Sequence, residues 1–162
     1  MDAFGQAVLR ALQDEFADVP DVEQATRIVV RLVIAAALGG LLGWERERTG
    51  KAAGVRTHML VALGAALFVL IPQQAGVSDT DMSRVIQGVV AGIGFLCAGT
   101  IIKGRDEEDV QGLTTAAGIW LTAAIGVGVG LGREASAVLS TLLALLILHW
   151  LPRLIHRISP RR

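Results

Sequence analysis

Apolar positions in this chain run in long blocks, and the charges fall between the blocks. Residues 57–78, 85–102, 110–132 and 135–152 contain no Asp, Glu, Lys or Arg. A helix that crosses a bilayer needs about 20 mainly apolar residues, with a range of roughly 17–25, so each block predicts one crossing. Their central stretches are 58–71, 85–102, 113–131 and 135–151. A fifth span, about 28–44, comes first and carries one charge, Arg31. Arg31 lies less than one turn inside the apolar stretch, so its long stem can carry the charge back to the interface. The alternative is an inward-facing arginine paired inside the bundle. The pattern predicts an all-α fold, a polytopic membrane helix bundle of about five transmembrane helices over residues 27–152.

Residues 1–24 read differently. They are acidic (Asp2, Asp14, Glu15, Asp18, Asp21, Glu23) and lack the apolar core and small-residue cleavage site of a signal peptide. Phe4, Ala7, Val8, Ala11, Leu12 and Phe16 recur at helical spacing and Pro20 closes the run, which predicts an amphipathic helix on the outer surface or against a partner. Its acidity argues against anionic lipid as the attractant. Residues 153–162 form a basic tail.

Lys and Arg set the expected orientation. Arg46, Arg48, Lys51 and Arg56 follow the first span, Lys103 and Arg105 follow the third, and Arg153, Arg157, Arg161 and Arg162 follow the fifth. The alternate loops hold only Arg84 and Arg133. The positive-inside rule then places the N terminus outside and the C terminus in the cytoplasm, with Trp44 and Trp150 at inner ends of spans.

Composition narrows the class further. Apolar residues make up 52% of the 162 and charged residues 19%, with a mean hydropathy of +0.55, too apolar for a water-facing surface. The formal charge of zero removes an electrostatic case for nucleic acid. The single cysteine, Cys97, cannot form an internal disulfide, and its apolar surroundings suggest inert packing. Nineteen glycines need a reason in helices, and in lipid that reason is close backbone approach. Gly39 and Gly43, Gly88 and Gly92, Gly126 and Gly130, and Gly128 and Gly132 form GxxxG pairs, and Gly94 and Gly99 continue the third span's series. They predict a tight bundle with one small-residue face left for a second copy, hence a homodimer.

Candidate chemistry gathers on the expected cytoplasmic face. Glu45-Arg46-Glu47-Arg48 follows Trp44, and Lys51, Arg56, Thr57 and His58 lead into the second span. As a solvated loop these would pair Glu45 with Arg48 and Glu47 with Lys51; as a site they would bind an ion or a docking partner. Asp106, Glu107, Glu108 and Asp109 supply four carboxylates that fit hydrated Mg²⁺ in principle, although acids at this place more often favour the start of the next helix. Otherwise no metal or cofactor is expected. Within the spans Gln87, Thr100, Thr114, Thr115 and Thr122 are polar but neutral, Trp120 adds an embedded polar handle, Arg31 is the only full charge, and no Asp or Glu is present for a proton relay. Thr114 and Thr115 are expected to bond backbone carbonyls or cap the fourth span. The motifs of serine and zinc hydrolases and of nucleotide binding are absent, so no catalytic residue is expected.

Three ordered blocks resemble a known family. Gly43-Trp44-Glu45-Arg46-Glu47-Arg48 with Ala53-Gly54-Val55-Arg56-Thr57-His58, the stretch from Arg84 through Gln87 and Gly88 to Leu96, and Gly112-Leu113-Thr114-Thr115-Ala116-Ala117-Gly118-Ile119-Trp120 are similar to the signatures of the MgtC/SapB family of bacterial inner-membrane proteins. The resemblance implies a domain of about five helices linked to survival when magnesium is scarce, with magnesium transport or action on another inner-membrane protein as possible roles. Its motif residues map to Glu45, Arg46, Arg48, Arg56, Thr57, His58, Gln87, Thr114, Thr115 and Trp120. Cys97 stands where the family pattern has a glycine, which implies a relaxed helix approach there. Residues 1–162 hold no counterpart of the soluble C-terminal domain of the longer members, so the resemblance is to a short, transmembrane-only form. The implied function is a non-enzymatic modulator of a membrane partner or of the response to magnesium limitation, with a transporter or channel for Mg²⁺ or another small solute as the alternative.

Overall fold

The computed structural model describes residues 3–15, 17, 21–103 and 110–158. In chain order its helices are α1 (Ala3–Glu15), α2 (Val22–Arg48), α3 (Val55–Gln74), α4 (Asp79–Gly99), α5 (Leu113–Gly130) and α6 (Glu134–Ile158). Among the described residues, five helices, α2 to α6, are long and apolar enough to cross a membrane. A two-residue antiparallel ladder, β1 (Ile102–Lys103) with β2 (Val110–Gln111), joins α4 to α5. The expected third span therefore stops short of Ile102, which pairs with Gln111 instead. Asp106, Glu107, Glu108 and Asp109 lie outside the described residues.

The chain divides into two compact units. The first, Met1–Val30, comprises α1 and the opening turns of α2. The apolar residues Phe4, Val8 and Leu12 of α1 are exposed. Asp21 starts α2 by accepting a hydrogen bond from the Gln24 backbone N–H at 2.7 Å, which satisfies one of the donors a helix start leaves open. Arg27 and Glu23 pair one turn apart on its exposed side.

The second unit, Arg31–Arg162, is the helix bundle. Helix α5 packs against α3, α4 and α6. It is apolar all round, as a central helix should be, and buries Ile119, Ala123, Ile125, Gly126, Val129 and Gly130. In lipid no hydrophobic force drives helices together, so dispersion between closely placed backbones must do it. Glycine permits that approach on both sides of α3. A methyl at Gly126 would overlap the Ala62 carbonyl oxygen, and one at Gly130 would stand 2.6 Å from that of Ala66. On the α2 side, methyls at Gly39 and Gly43 would stand 2.5 Å from the His58 carbonyl oxygen and 2.6 Å from Val55 Cα. Ala35, Leu38, Leu42, Ala62, Ala66, Ile125, Val129, Ala137 and Ala144 fill the main core; Ala53, Cys97, Ala116 and Ile119 form a smaller one.

The third span's glycines behave otherwise. Methyls at Gly88, Gly92, Gly94 or Gly99 would meet nothing within 4 Å, so within the chain these four are not packing positions. Only Met82 and Cys97 of α4 are buried. Gly88 and Gly92 border an apolar groove of about 490 Å³ across from Leu60, Gly64 and Phe68 of α3, so α4 stands off from α3 there. Its contact with α5 runs through Cys97, whose thiol donates to the Ala116 carbonyl at 3.2 Å.

Candidate functional site

The polar residues of the first sequence block come together where α2 ends and α3 begins. Glu45 and Arg46 are 8% and 4% exposed, and Arg46 Nε donates to Glu45 Oε2 at 2.7 Å. His58, one turn into α3, is completely buried. Its Nδ1 lies 3.0 Å from the Gly54 carbonyl oxygen. A carbonyl only accepts, so Nδ1 carries the hydrogen and the neutral ring leaves Nε2 as an acceptor. Gly118 of α5 faces both residues: a methyl there would be 3.6 Å from His58 Nε2 and 3.9 Å from Arg46 Cδ. Three helices thus close around one buried polar cluster.

The loop pairs expected from the sequence are replaced. Glu45 pairs with Arg46 rather than Arg48, because both turn into the bundle while Arg48 is exposed and lies 5.8 Å from the centre of the Trp44 ring. Glu47 does not pair with Lys51; its Oε2 accepts the Val55 backbone N–H at 2.9 Å. Its carboxylate therefore caps α3 from another helix, at an N-terminus whose own N-cap residue, Gly54, offers no side chain. The charge alternation of Glu45-Arg46-Glu47-Arg48 gave no hint of that role, since the partner comes eight residues later.

Beside the cluster, a crevice of about 500 Å³ is lined by Lys51, Thr100, Gln111, Gly112, Thr114 and Thr115 among others. Thr114 is exposed and Thr115 buried. Neither caps α5. Its N-cap is Gly112, held at φ +91° with its α-carbon so close to Thr100 that a methyl would overlap the Thr100 carbonyl oxygen. Arg56 is exposed and Thr57 half-buried on the first turn of α3. Gln87 is exposed on α4 and Trp120 is 48% exposed on α5.

Arg31 lies at the other end of the bundle, where its stem carries the guanidinium to the span boundary and the charge is paired among helix ends. Its Nη1 donates to Gln73 Oε1 at 2.7 Å and to the Gly130 carbonyl at 3.0 Å, and its Nε is 3.6 Å from Glu134 Oε1. Gly130 ends α5 and Glu134 opens α6, so the guanidinium binds the negative end of one helix dipole and an acid of the next helix. Gly132, at φ +77°, makes room: a methyl there would be 2.5 Å from Arg31 Nη2. The sequence reading named neither Gln73 nor Glu134; their only signal was a polar residue at each span boundary. Among the described residues no three His, Cys, Asp or Glu side chains come together to hold a metal ion.

The sequence profile of the MgtC family matches residues 32–157. The chain is 43% identical to protein SrpB of Synechococcus elongatus over 135 residues, 76% of this chain and 74% of that protein. It is 38% identical to YhiD of Escherichia coli K12, described as a putative magnesium transporter, over 80% of this chain and 63% of that one. Against MgtC of Salmonella typhimurium the identity is 42% over 72% of this chain, which spans about half (49%) of the relative's length. No solved structure matches the chain significantly. The matched residues take in α2 from Leu32 onward, all of α3, α4 and α5, nearly all of α6 and the Glu45–Arg46–His58 cluster, and this multi-pass membrane protein belongs to the MgtC family.

Proposed function

We propose that the chain is a non-enzymatic bacterial inner-membrane protein that modulates a membrane partner or the response to magnesium limitation. One observation carries the reading: the polar groups of the spans do not share a cavity. Arg31 is spent on Gln73, Gly130 and Glu134 at one end, Gln87 is exposed on α4, and Thr114 and Thr115 line the crevice at the other end. A permeation path needs such groups along one continuous lumen; here they serve as braces and surface.

The positive-inside bias puts the crevice and the exposed Arg48 and Arg56 on the cytoplasmic side, where a partner would meet them. A second copy of the chain would use α4, where Gly88 and Gly92 stand beside open space. The alternative, transport of Mg²⁺ or another small solute, draws on the description of YhiD as a putative magnesium transporter.

The test is a flux assay on the purified protein in sealed liposomes with a Mg²⁺-sensitive dye inside, beside an Arg56→Ala variant. The modulator reading expects no flux above protein-free vesicles from folded, inserted protein. Flux that Arg56→Ala abolishes would replace it with the transporter. With no flux, in-cell crosslinking from position 56 should capture a membrane protein.

A further inference from the structure

Three buried polar atoms have no hydrogen-bond partner among the described residues: Glu45 Oε1, Arg46 Nη1 and His58 Nε2. All three side chains are more than nine-tenths buried, at 8%, 4% and 0% exposure. Desolvating such groups without a partner is costly, the more so for two charged ones. They also belong together. Arg46 Nε and Glu45 Oε2 are joined at 2.7 Å, and a methyl on Gly118 would lie 3.6 Å from His58 Nε2 and 3.9 Å from Arg46 Cδ.

The hydrogen-bonding inventory of the three atoms defines what would satisfy them. Glu45 Oε1 accepts, Arg46 Nη1 donates, and His58 Nε2 accepts because Nδ1 holds its hydrogen against the Gly54 carbonyl. A complementary ligand accepts one bond and donates two. A cation such as Mg²⁺ would suit Oε1 and Nε2 but would sit against the Arg46 guanidinium. An anion would suit Nη1 but would face the Glu45 carboxylate and the Nε2 lone pair. The Glu45–Arg46 pair is already neutral, so nothing in the cluster calls for a further charge. Buried waters make about three hydrogen bonds, to polar groups left unpaired by the protein.

We propose that Glu45, Arg46 and His58 form an internal binding site for a single water molecule, which takes a hydrogen bond from Arg46 Nη1 and gives one each to His58 Nε2 and Glu45 Oε1. Gly118 supplies the room, because it carries no side chain between the α2 and α3 groups. The water would join α2 to α3 in front of α5, and the site holds whether the bundle modulates a partner or carries a solute.

The test uses the full chain in lipid nanodiscs, carrying His149→Gln and His156→Gln so that His58 is its sole histidine, labelled with ¹⁵N and ¹³C on that ring. The expected result is magnetisation transfer from water to the His58 ring, with Nε2 at the shift of a hydrogen-bonded acceptor. Gly118→Ala places a methyl 3.6 Å from Nε2 and should abolish the transfer while the amide spectrum stays folded. Should that variant misfold, Gly118→Ser sets its own hydroxyl there and should abolish the transfer likewise. Absence of transfer in the folded parent would overturn the proposal, and so would transfer unchanged in a folded Gly118 variant.

Discussion

Arg31 offers a quantitative test of how this bundle is braced. The substitution is Arg31→Met, which keeps the length of the stem and removes the charge. The guanidinium makes two hydrogen bonds, 2.7 Å to Gln73 and 3.0 Å to the Gly130 carbonyl, and stands 3.6 Å from Glu134. Hydrogen bonds inside membrane proteins average about 0.6 kcal/mol each in double-mutant cycles and reach about 1.7. Two of them give about 1–3 kcal/mol. The Glu134 pair is 22% and 37% exposed on its two sides, so it adds less than about 1 kcal/mol. The sum for Arg31→Met is about 1–4 kcal/mol, most of it from Gln73 and Gly130. The assay is reversible unfolding in mixed micelles, run as a cycle with Gln73→Leu and separately with Glu134→Gln. Arg31 and Gln73 should couple by about 0.5 kcal/mol or more, and Glu134→Gln should cost less than Arg31→Met. An arginine whose guanidinium was held only by water and headgroups would show no coupling to Gln73. A cycle closing within about 0.2 kcal/mol would therefore refute the brace.

Three further outcomes follow from the same geometry. Glu45→Gln leaves the Arg46 charge buried without its counterion and should cost about 3–5 kcal/mol in micelle unfolding, whereas Arg48→Ala, removing an exposed cation near Trp44, should cost under about 1 kcal/mol. Glu47→Ala removes the carboxylate that receives the Val55 N–H and should cost about 1 kcal/mol, with hydrogen exchange raised at the first turn of α3; exchange unchanged there would refute the cap. Gly126→Ala drives a methyl into the Ala62 carbonyl and should cost about 3 kcal/mol, while Gly88→Ala, meeting nothing within 4 Å, should leave unfolding within about 0.5 kcal/mol of the parent. If Gly88→Ala instead weakens crosslinked dimers without altering the fold, α4 carries the interface between copies.

What the sequence by itself determined is the part governed by solvent. Four long uncharged blocks and a fifth apolar stretch carrying only Arg31 have the length to cross a bilayer, so five spanning helices were legible from composition and spacing. The motif at 43–48 and 53–58 was legible as a locus because its polar residues crowd one span boundary. Which of those residues enter the bundle was decided by tertiary structure alone. Glu45 and Arg46 are adjacent to Glu47 and Arg48 and chemically identical to them, yet the first pair is buried and the second pair exposed. Helical rotation against α3 and α5 makes that choice, and no local spacing reports it. The glycines show the same division. Gly88 and Gly92 match the GxxxG pattern as well as Gly126 and Gly130 do, but only the latter lie against a neighbouring backbone. A small-residue stripe in lipid is a licence for close approach, and whether a helix arrives to use it depends on where the other four helices are placed.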